Sequence, residues 1–359
     1  PAAAAFYICG LISLVLYLIM LNSVSFCDFF NDHIASRFRC ITAFVSGLVG
    51  ISLAELIIYM LVPIFVMFFA GVIKASKNEE YTKVARMYVG AFAVLSLFGT
   101  SFVFSHASGY RGSTLDVRLG MDKERVSASE LEKTAKYLAE MVTQATDEVE
   151  FIYGSHSVMP YSFEELTDKI NDAYSNVCKE YDFILDFRSS IKPVMSSEVL
   201  SYAHILGIYT YYTGESNVNV NFPDFTLPYT CAHEMSHQRG FSREDEANFM
   251  AYLVCISSDD PYIRYSGYYN MYEYVMSALY SVDKRAYAEV YYSTSNEARW
   301  ESTSYNEFYE KYRENKVADV SDKVNDEYLQ SQGQSAGNKS YGLVVDLMVG
   351  YYKSGAGEE

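Results

Sequence analysis

The chain has 359 residues, of which 50% are hydrophobic and only 20% charged, and its formal net charge is −17. This acidic excess argues against nucleic acid and anionic lipid headgroups as partners, because both are negatively charged. The length accommodates a membrane-anchored part and one sizeable globular domain.

Three apolar stretches near the N-terminus are each long enough to cross a bilayer. Three such stretches close together, with no small-residue cleavage site after the first, favour spanning helices over a signal peptide. We predict a transmembrane region over residues 1–106, with spans at about 6–26, 51–73 and 87–104.

The basic residues predict the orientation of these spans. The loop between the second and third spans is rich in Lys and Arg, whereas the basic residues after the first span are balanced by Asp. The positive-inside rule places the Lys-rich loop in the cytoplasm and everything after about residue 106 outside it. The chain starts at Pro1 rather than Met, which leaves room for residues upstream.

An acidic residue, Glu55, begins the second span. An ionisable group inside a membrane is a functional candidate. However, residues 43–54 are rich in Gly and Ser and suggest a hairpin on the outer face that leads into the membrane. We therefore expect Glu55 to be solvated at the interface.

The segments after the spans have patterns typical of structural elements. Residues 105–122 are polar and Gly-rich and predict a juxtamembrane strap. Ser127 or Ser129 caps one helix, and Ser162 with Glu165 forms a capping box for another. Further helices that cover the site are predicted at 262–282 and 284–300, followed by a flexible linker at 330–339 and a final helix too short to span, at 341–352.

The stretch 206–222 is rich in Tyr, Val and Ile and has turn residues in its middle, which predicts a strand and a turn. An exposed edge strand here would hold extended substrate by backbone pairing. Asn217 and Asn219 either face a cleft or satisfy backbone groups of the turn. Pro223 and Pro228 then end the strand and begin a helix.

That helix carries the sequence HEMSH. His233 and His237 are four residues apart, so both imidazoles project from one helical face and can bind one metal ion. Glu234 lies beside the first histidine, where a carboxylate can take a proton from metal-bound water without being a ligand. An ordinary helix with two histidines by chance is the alternative.

The residues after the motif favour the metal site. Gly240 can end the helix in a left-handed turn, and Ser242 with Asp245 resembles a capping box for a second helix. Catalytic zinc usually has three protein ligands and water. We expect Glu244 to be the third ligand, with Glu246 as the alternative ligand; both could instead be a solvated first turn that favours the helix dipole.

One helical turn after Glu244 lies Asn248. We expect its side chain to hydrogen-bond a ligand imidazole from behind, as outer partners of metal ligands commonly do. Cys231 lies two residues before the first histidine and points away from the ligand face, which favours burial. With Cys178 and Cys255 it makes an odd number in the outer domain, so no disulfide framework is expected.

Several runs resemble the zincin-like bacterial membrane proteins grouped as domain of unknown function 3810. They are GESNVN, LPYTCAHEMSHQRGFSREDEANFMAYLVC and YSGY, together with SLAE at 52–55 and GYRGSTLDVRLGM at 109–121. With the three spans, the resemblance covers most of the chain. It implies a zincin-like fold and assigns no activity.

The motif also resembles the glutamate-zinc peptidases, whose membrane-embedded and small soluble branches carry Glu, then Ala, then Asp or Asn four positions after the Glu. Glu244, Ala247 and Asn248 match this pattern, which implies the same ligand and the same neighbour. Gly240 stands where metzincins have a turn Gly, but Arg243 replaces their third His. The gap between the second His and the Glu is shorter than in most glutamate-zinc peptidases.

These patterns together predict a zinc metallopeptidase with one Zn²⁺ per chain and a peptide or protein substrate. Glu234 would accept a proton from water and pass it to the leaving amine. An oxyanion donor is also expected, with Tyr265 as the first candidate, ahead of Arg264, Tyr262 and His204.

Two other classes of function remain open. The site could bind zinc in a membrane sensor or scaffold that lacks hydrolase activity, or it could belong to an amidase that acts on cell-wall material. A cleft beside an edge strand favours extended peptide, whereas a wide Tyr-lined groove favours glycan-linked material. The predicted fold class is α+β and mainly helical, with three N-terminal transmembrane helices and an extracytoplasmic zincin-like domain with a small edge sheet over 107–359.

Overall fold

Long apolar helices dominate the N-terminal third of the chain. The computed structural model describes residues 2–121 and 126–355. Within residues 2–121 it contains helices α1 to α7, which run over Ala2–Met20, Val24–Phe30, Ser36–Gly47, Leu53–Lys77, Tyr81–Phe102, Ser108–Arg111 and Leu115–Arg118.

The helices α1, α4 and α5 are the candidate membrane spans. Each is long and apolar enough to cross a bilayer. Many of their apolar side chains are exposed, including Val62 at 68% and Val66 at 65%, which suits helices surrounded by lipid. The three predicted spans are therefore confirmed as apolar helices of membrane-crossing length.

The ends of the spans differ from the prediction. The first ends at Met20 rather than at residue 26, because the Ser23 hydroxyl accepts from the Phe26 N–H and caps α2. The third continues through a π-helical turn, Val103–Ala107, into α6. Helix therefore replaces much of the predicted strap, whose last residue, Asp122, lies outside the described residues.

The expectation for Glu55 is wrong. Residues 43–47 belong to α3 rather than to a hairpin, and Glu55 is only 6% exposed. Its carboxylate accepts from the backbone N–H groups of Met195 and Ser196 at 2.9 and 2.8 Å, and from the Ser196 and Tyr59 hydroxyls. This carboxylate binds the globular part of the chain instead of water.

A second carboxylate completes this junction from the opposite side. Glu215 is 1% exposed, and its two oxygens accept from the Leu53 and Ala54 N–H groups at 3.0 and 2.9 Å. These N–H groups begin α4, where the helix dipole favours negative charge. Each part of the chain thus supplies one acidic side chain to backbone donors of the other.

The remaining chain is mainly helical. From residue 126 it contains helices α8 to α17, over Ala128–Thr146, Phe163–Glu180, Ser197–Tyr202, Thr226–Arg239, Glu244–Ile256, Pro261–Val282, Lys284–Ser293, Asn296–Glu310, Lys316–Ser331 and Val344–Lys353. Ser162 forms the predicted capping box with Glu165, and Ser127, one of the two predicted caps, forms a capping box with Glu130. The buried face of α8 contains Leu131, Ala135, Leu138, Ala139 and Val142.

The predicted helix at 284–300 is divided in two, because Ser295 caps α15 and separates it from α14. The predicted linker at 330–339 overlaps the end of α16 and a 3₁₀ segment, Gly337–Leu343. The final helix, α17, packs as predicted and buries Val344, Val345, Leu347, Met348 and Val349.

A small sheet lies beside the core helices. Its strands are β1 at Ile191–Pro193, β2 at Gly207–Thr210 and β3 at Glu215–Val218, in the order β1-β3-β2. Strand β3 pairs in parallel with β1 and antiparallel with β2. The predicted strand and turn thus form a hairpin, with β2 at the edge of the sheet over the described residues.

We expect Glu215→Gln to lower the free energy of unfolding by about 2 kcal/mol, because charge-assisted hydrogen bonds to buried donors would weaken. Thermal unfolding of the detergent-solubilised full chain measures this change. Glu198→Gln is the control, since Glu198 pairs with Lys311 and both side chains are more than half exposed. Equal unfolding temperatures for the two variants would contradict the role of Glu215.

Candidate metal centre

The two histidines lie on α11, which begins at Thr226 with Pro228 in its first turn. Their rings meet edge to face, with centroids 4.7 Å apart and an interplanar angle of 87°. The Nδ1 atom of His237 lies 2.7 Å from the Phe241 carbonyl oxygen. A proton on that nitrogen donates to the carbonyl, which leaves the Nε2 lone pair of His237 free for a metal ion.

The helix ends at Gly240, as predicted, in a left-handed conformation with φ +108°. A Cβ atom there would lie 2.4 Å from Nη2 of Arg39, so both conformation and space favour glycine. The predicted Ser242 cap is wrong. Arg243 occupies the N-cap position of α12, and the Ser242 hydroxyl donates to the His106 carbonyl at 2.8 Å.

The turn at Gly240 brings the Glu244 carboxylate close to the two histidines. Its Oε2 atom lies 3.4 Å from Nε2 of His233 and 3.6 Å from Nε2 of His237. Burial opposes charge at Glu244, but the two imidazoles hold its pKa below the usual range. Burial likewise opposes charge at His237, yet the Glu244 carboxylate raises the pKa of His237 to about 9.

Glu246 and Asn248, which lie on the same helix as Glu244, differ from their predicted roles. Glu246 is not brought to the histidines, because its carboxylate accepts from the Leu115 N–H at 3.0 Å and pairs with Arg243 at 2.7 Å. Asn248 lines the cleft above the histidines, but its Oδ1 atom accepts from the Tyr274 hydroxyl at 3.4 Å instead of from an imidazole. His237 is supported by a backbone carbonyl in its place.

Glu234 lies beside the cluster without joining it. It is 4% exposed, and burial raises the pKa of its carboxyl group. A Cβ atom at Gly207 would lie 2.5 Å from Oε1 of Glu234, so the carboxylate packs directly against the backbone of β2. The Tyr209 N–H, two residues further along β2, also hydrogen-bonds this carboxylate.

The donor set fits a divalent metal. One ligand atom from each of His233, His237 and Glu244 lies within 4.8 Å of the others. Two imidazoles and one carboxylate are a common ligand set of catalytic zinc, which keeps a further position open. Oε2 of Glu234 is buried and has no hydrogen-bond partner among the described residues, which leaves it available to a water molecule.

A cleft of about 910 Å³ opens onto this cluster. Strand β2 forms one wall and α16 another, and the end of the third span contributes His106 and Tyr110. The ring of His106 is 5.9 Å from that of His237. Four residues of the cleft, His106, Tyr110, Tyr274 and Tyr328, were not predicted from the sequence. The spacing of His106 and Tyr110, four residues apart just beyond a span, was the available signal, because it fits a helix that continues past the span.

The structure places the predicted oxyanion donors away from the histidines, apart from His204. Tyr265 is fully buried and donates to Glu301 at 2.9 Å. Tyr262 lies 3.1 Å from the Ser157 hydroxyl, and Arg264 pairs with Glu148. Tyr265 is therefore a core residue, because its hydroxyl group is already bound to a buried carboxylate.

The remaining predictions concern His204, two asparagines and Cys231. His204 lines the cleft, and its Nε2 atom is 2.7 Å from the Tyr312 carbonyl oxygen. Asn217 and Asn219 are buried and donate to the carbonyls of Ile208 and Ile205, so the backbone role is correct for both. Cys231 is buried and its thiol is free, as expected.

The fold and the His-His-Glu cluster define a mainly helical protein with candidate membrane spans and a potential metal centre. Comparison with known families gives a match over residues 30–349 to the family described as "Protein of unknown function (DUF3810)". The chain belongs to this family. No curated protein and no solved structure matches the chain.

We expect Glu244→Gln to weaken zinc binding by more than about 100-fold, because losing a ligand should cost more than losing an outer partner. Elemental analysis and competition with a chromogenic chelator would measure stoichiometry and affinity in the purified full chain. His237→Ala should behave in the same way.

Glu246→Gln is the matched control, since it is a buried acid of the same helical turn that binds Leu115 and Arg243 instead. It should retain about one zinc per chain. Zinc loss in Glu246→Gln with retention in Glu244→Gln would reverse the ligand assignment.

Proposed function

We propose that this protein is a membrane-anchored zinc metallopeptidase that hydrolyses peptide bonds outside the cytoplasmic membrane. The observation that carries the proposal is the convergence of Glu244 with His233 and His237 at 3.4 and 3.6 Å. Glu234 lies beside this cluster, and the edge strand β2 borders the same cleft. This arrangement supports the proposal, because a zinc peptidase needs three protein ligands, a general base and a strand that can pair with substrate.

Zinc held by these three ligands would supply a Lewis acid that acidifies water and polarises the scissile carbonyl. Glu234 accepts the proton from the attacking water and transfers it to the leaving amine. Its raised pKa suits both halves of this transfer. The backbone of β2, which packs against the carboxylate at Gly207, holds Glu234 in the orientation for transfer.

Two tyrosines are better oxyanion candidates than Tyr265. Tyr274 and Tyr328 line the cleft, and burial, with a smaller contribution from the Glu244 carboxylate, raises the pKa of both phenol groups. The phenol groups therefore stay protonated at neutral pH and can donate a hydrogen bond. Tyr274 lies on α13 and Tyr328 on α16.

The location outside the cytoplasm rests on the arrangement of charge. Glu55 and the first N–H groups of α4 contact the globular part, whereas Lys74 and Lys77 lie at the opposite end of the same helix. The positive-inside rule assigns that basic end to the cytoplasm. The globular part then lies on the outer side of the membrane.

We expect Glu234→Gln to retain zinc and to reduce peptidase turnover by about 100-fold or more, since general base catalysis contributes 10² to 10⁴. The assay incubates the zinc-loaded full chain with a proteome-derived peptide mixture and identifies new termini by mass spectrometry. Zinc with no cleavage by the wild-type protein would favour the sensor or scaffold function. Cleavage of cell-wall amides but not of peptides would favour the amidase.

We expect Gly207→Ala to reduce turnover at unchanged zinc content, because the new Cβ atom would meet Glu234 at 2.5 Å and displace the general base. A loss of about tenfold or more corresponds to a misplaced catalytic group. Gly342→Ala is the control, since no atom lies within 4 Å of the Cβ position there. Full activity of Gly207→Ala would show that the strand does not position Glu234.

A further inference from the structure

The metal centre is built onto the end of the third candidate span. His106 follows Phe104, the last apolar residue predicted for that span, by two residues, or ~3 Å of helix rise. Its ring centroid is 5.9 Å from that of His237, and the Ser242 hydroxyl donates to its carbonyl. His237 of the candidate metal centre is therefore in ring contact with a residue directly after the apolar end of the span.

The β2–β3 hairpin packs against α5, the helix of the third candidate span. The ring of Tyr211 packs on Phe102 with centroids 5.5 Å apart, and Tyr212 packs on Phe98 at 5.1 Å. Phe98 lies two helical turns before His106, inside the apolar stretch. The tip of the hairpin thus packs on the apolar stretch of α5, and tyrosines in such a place are typical of residues at a membrane interface.

Strand β2 runs between this tip and the metal centre, and it pairs with β3 along one of its two edges. The Asn219 N–H donates to the Leu206 carbonyl, and antiparallel pairs alternate, so the peptide groups of Gly207 and Tyr209 point away from β3. The Tyr209 N–H accordingly reaches Glu234. Among the described residues no strand pairs with this edge, which leaves its peptide groups other than the Tyr209 N–H able to pair with an extended chain.

The walls of the cleft are apolar where such a chain would pass. Val320 and Val324 of α16 lie four residues apart on one helical face and line the cleft, yet they are 63% and 61% exposed. Ile208 of β2 lines it as well and is 37% exposed. Exposed apolar side chains inside a cleft fit a substrate with apolar residues, as found next to a membrane span.

We propose that the substrate is a membrane-anchored polypeptide, hydrolysed in the extended segment that directly follows its own span. The segment leaves the bilayer beside α5, pairs with the open edge of β2 and crosses the metal centre. Water adds to the scissile carbonyl carbon, the C–N bond breaks, and the amine leaves with a proton. This inference rests on the peptidase function proposed above and adds the class of substrate.

The test uses the zinc-loaded full chain in proteoliposomes with three reporters that share one randomised ten-residue segment. The first carries the segment directly after a single span. The second inserts a flexible Gly/Ser linker of about 20 residues, which adds roughly 25 Å of reach, between span and segment. The third carries the segment on a soluble protein. Mass spectrometry locates the new termini, and Glu234→Gln gives the background.

We expect cleavage of the first reporter within about ten residues of the span, since each extended residue adds ~3.3 Å. The other two reporters should be cut at least about tenfold more slowly, because their segments are not delivered to β2 at the membrane. Equal rates for the soluble reporter would overturn the substrate class and leave the peptidase function standing. No cleavage of any reporter above background would instead refute the peptidase function itself.

A variant pair on α16 tests the apolar wall. We expect Val324→Asp to slow cleavage of the first reporter by about tenfold, because the charge would meet apolar substrate residues in the cleft. Val317→Asp is the matched control, since Val317 is 53% exposed on the same helix and does not line the cleft. Equal losses in both variants would show that α16 does not form the substrate wall.

Discussion

A buried guanidinium joins the metal helix to the membrane-side helices. Arg39 on α3 is 1% exposed and donates to Asn31, to the Ser105 carbonyl at 2.7 Å and to the Arg239 carbonyl at 3.2 Å. Burial lowers the pKa of Arg39 to about 10, so it stays charged at neutral pH. Burying such a charge is costly unless its N–H groups find oxygens, and the C-terminal carbonyls of α11 are favourable acceptors for a cation.

The same contact shapes the candidate metal centre. Arg39 fills the space beside Gly240, so the chain leaves α11 in a left-handed turn that no other residue adopts cheaply. The tightness of that turn brings Glu244 back over the helix it has just left. This interaction therefore helps to bring Glu244 to the histidines and also joins α11 to the helices beside the candidate spans, so the cleft contains residues from both parts of the chain.

The helix that carries the histidines is polar on several sides and yet buried. Such a helix is stable only when its polar groups are satisfied. The Gln238 amide donates to the Gly214 carbonyl at 2.7 Å. Arg239 donates to the Phe187 carbonyl at 2.7 Å and stacks over Tyr174 at 3.9 Å. This network satisfies the polar groups of α11, while Leu227, Cys231 and Met235 of the same helix pack in the hydrophobic core.

The sequence by itself determined what depends on local chain geometry. Helical periodicity put His233 and His237 on one face, a left-handed turn required Gly240, and apolar length identified the spans. Only the tertiary structure decided the features that depend on contacts between distant segments. Glu55 contacts the globular part instead of solvent, and Tyr265 donates to Glu301. His106 lies in the cleft because its helix continues past the apolar stretch.

The choice between Glu244 and Glu246 also depended on contacts between distant segments. Residues two apart on a helix point to nearly opposite sides, and only the packing of α12 on α11 and on Leu115 decided which one faces the histidines.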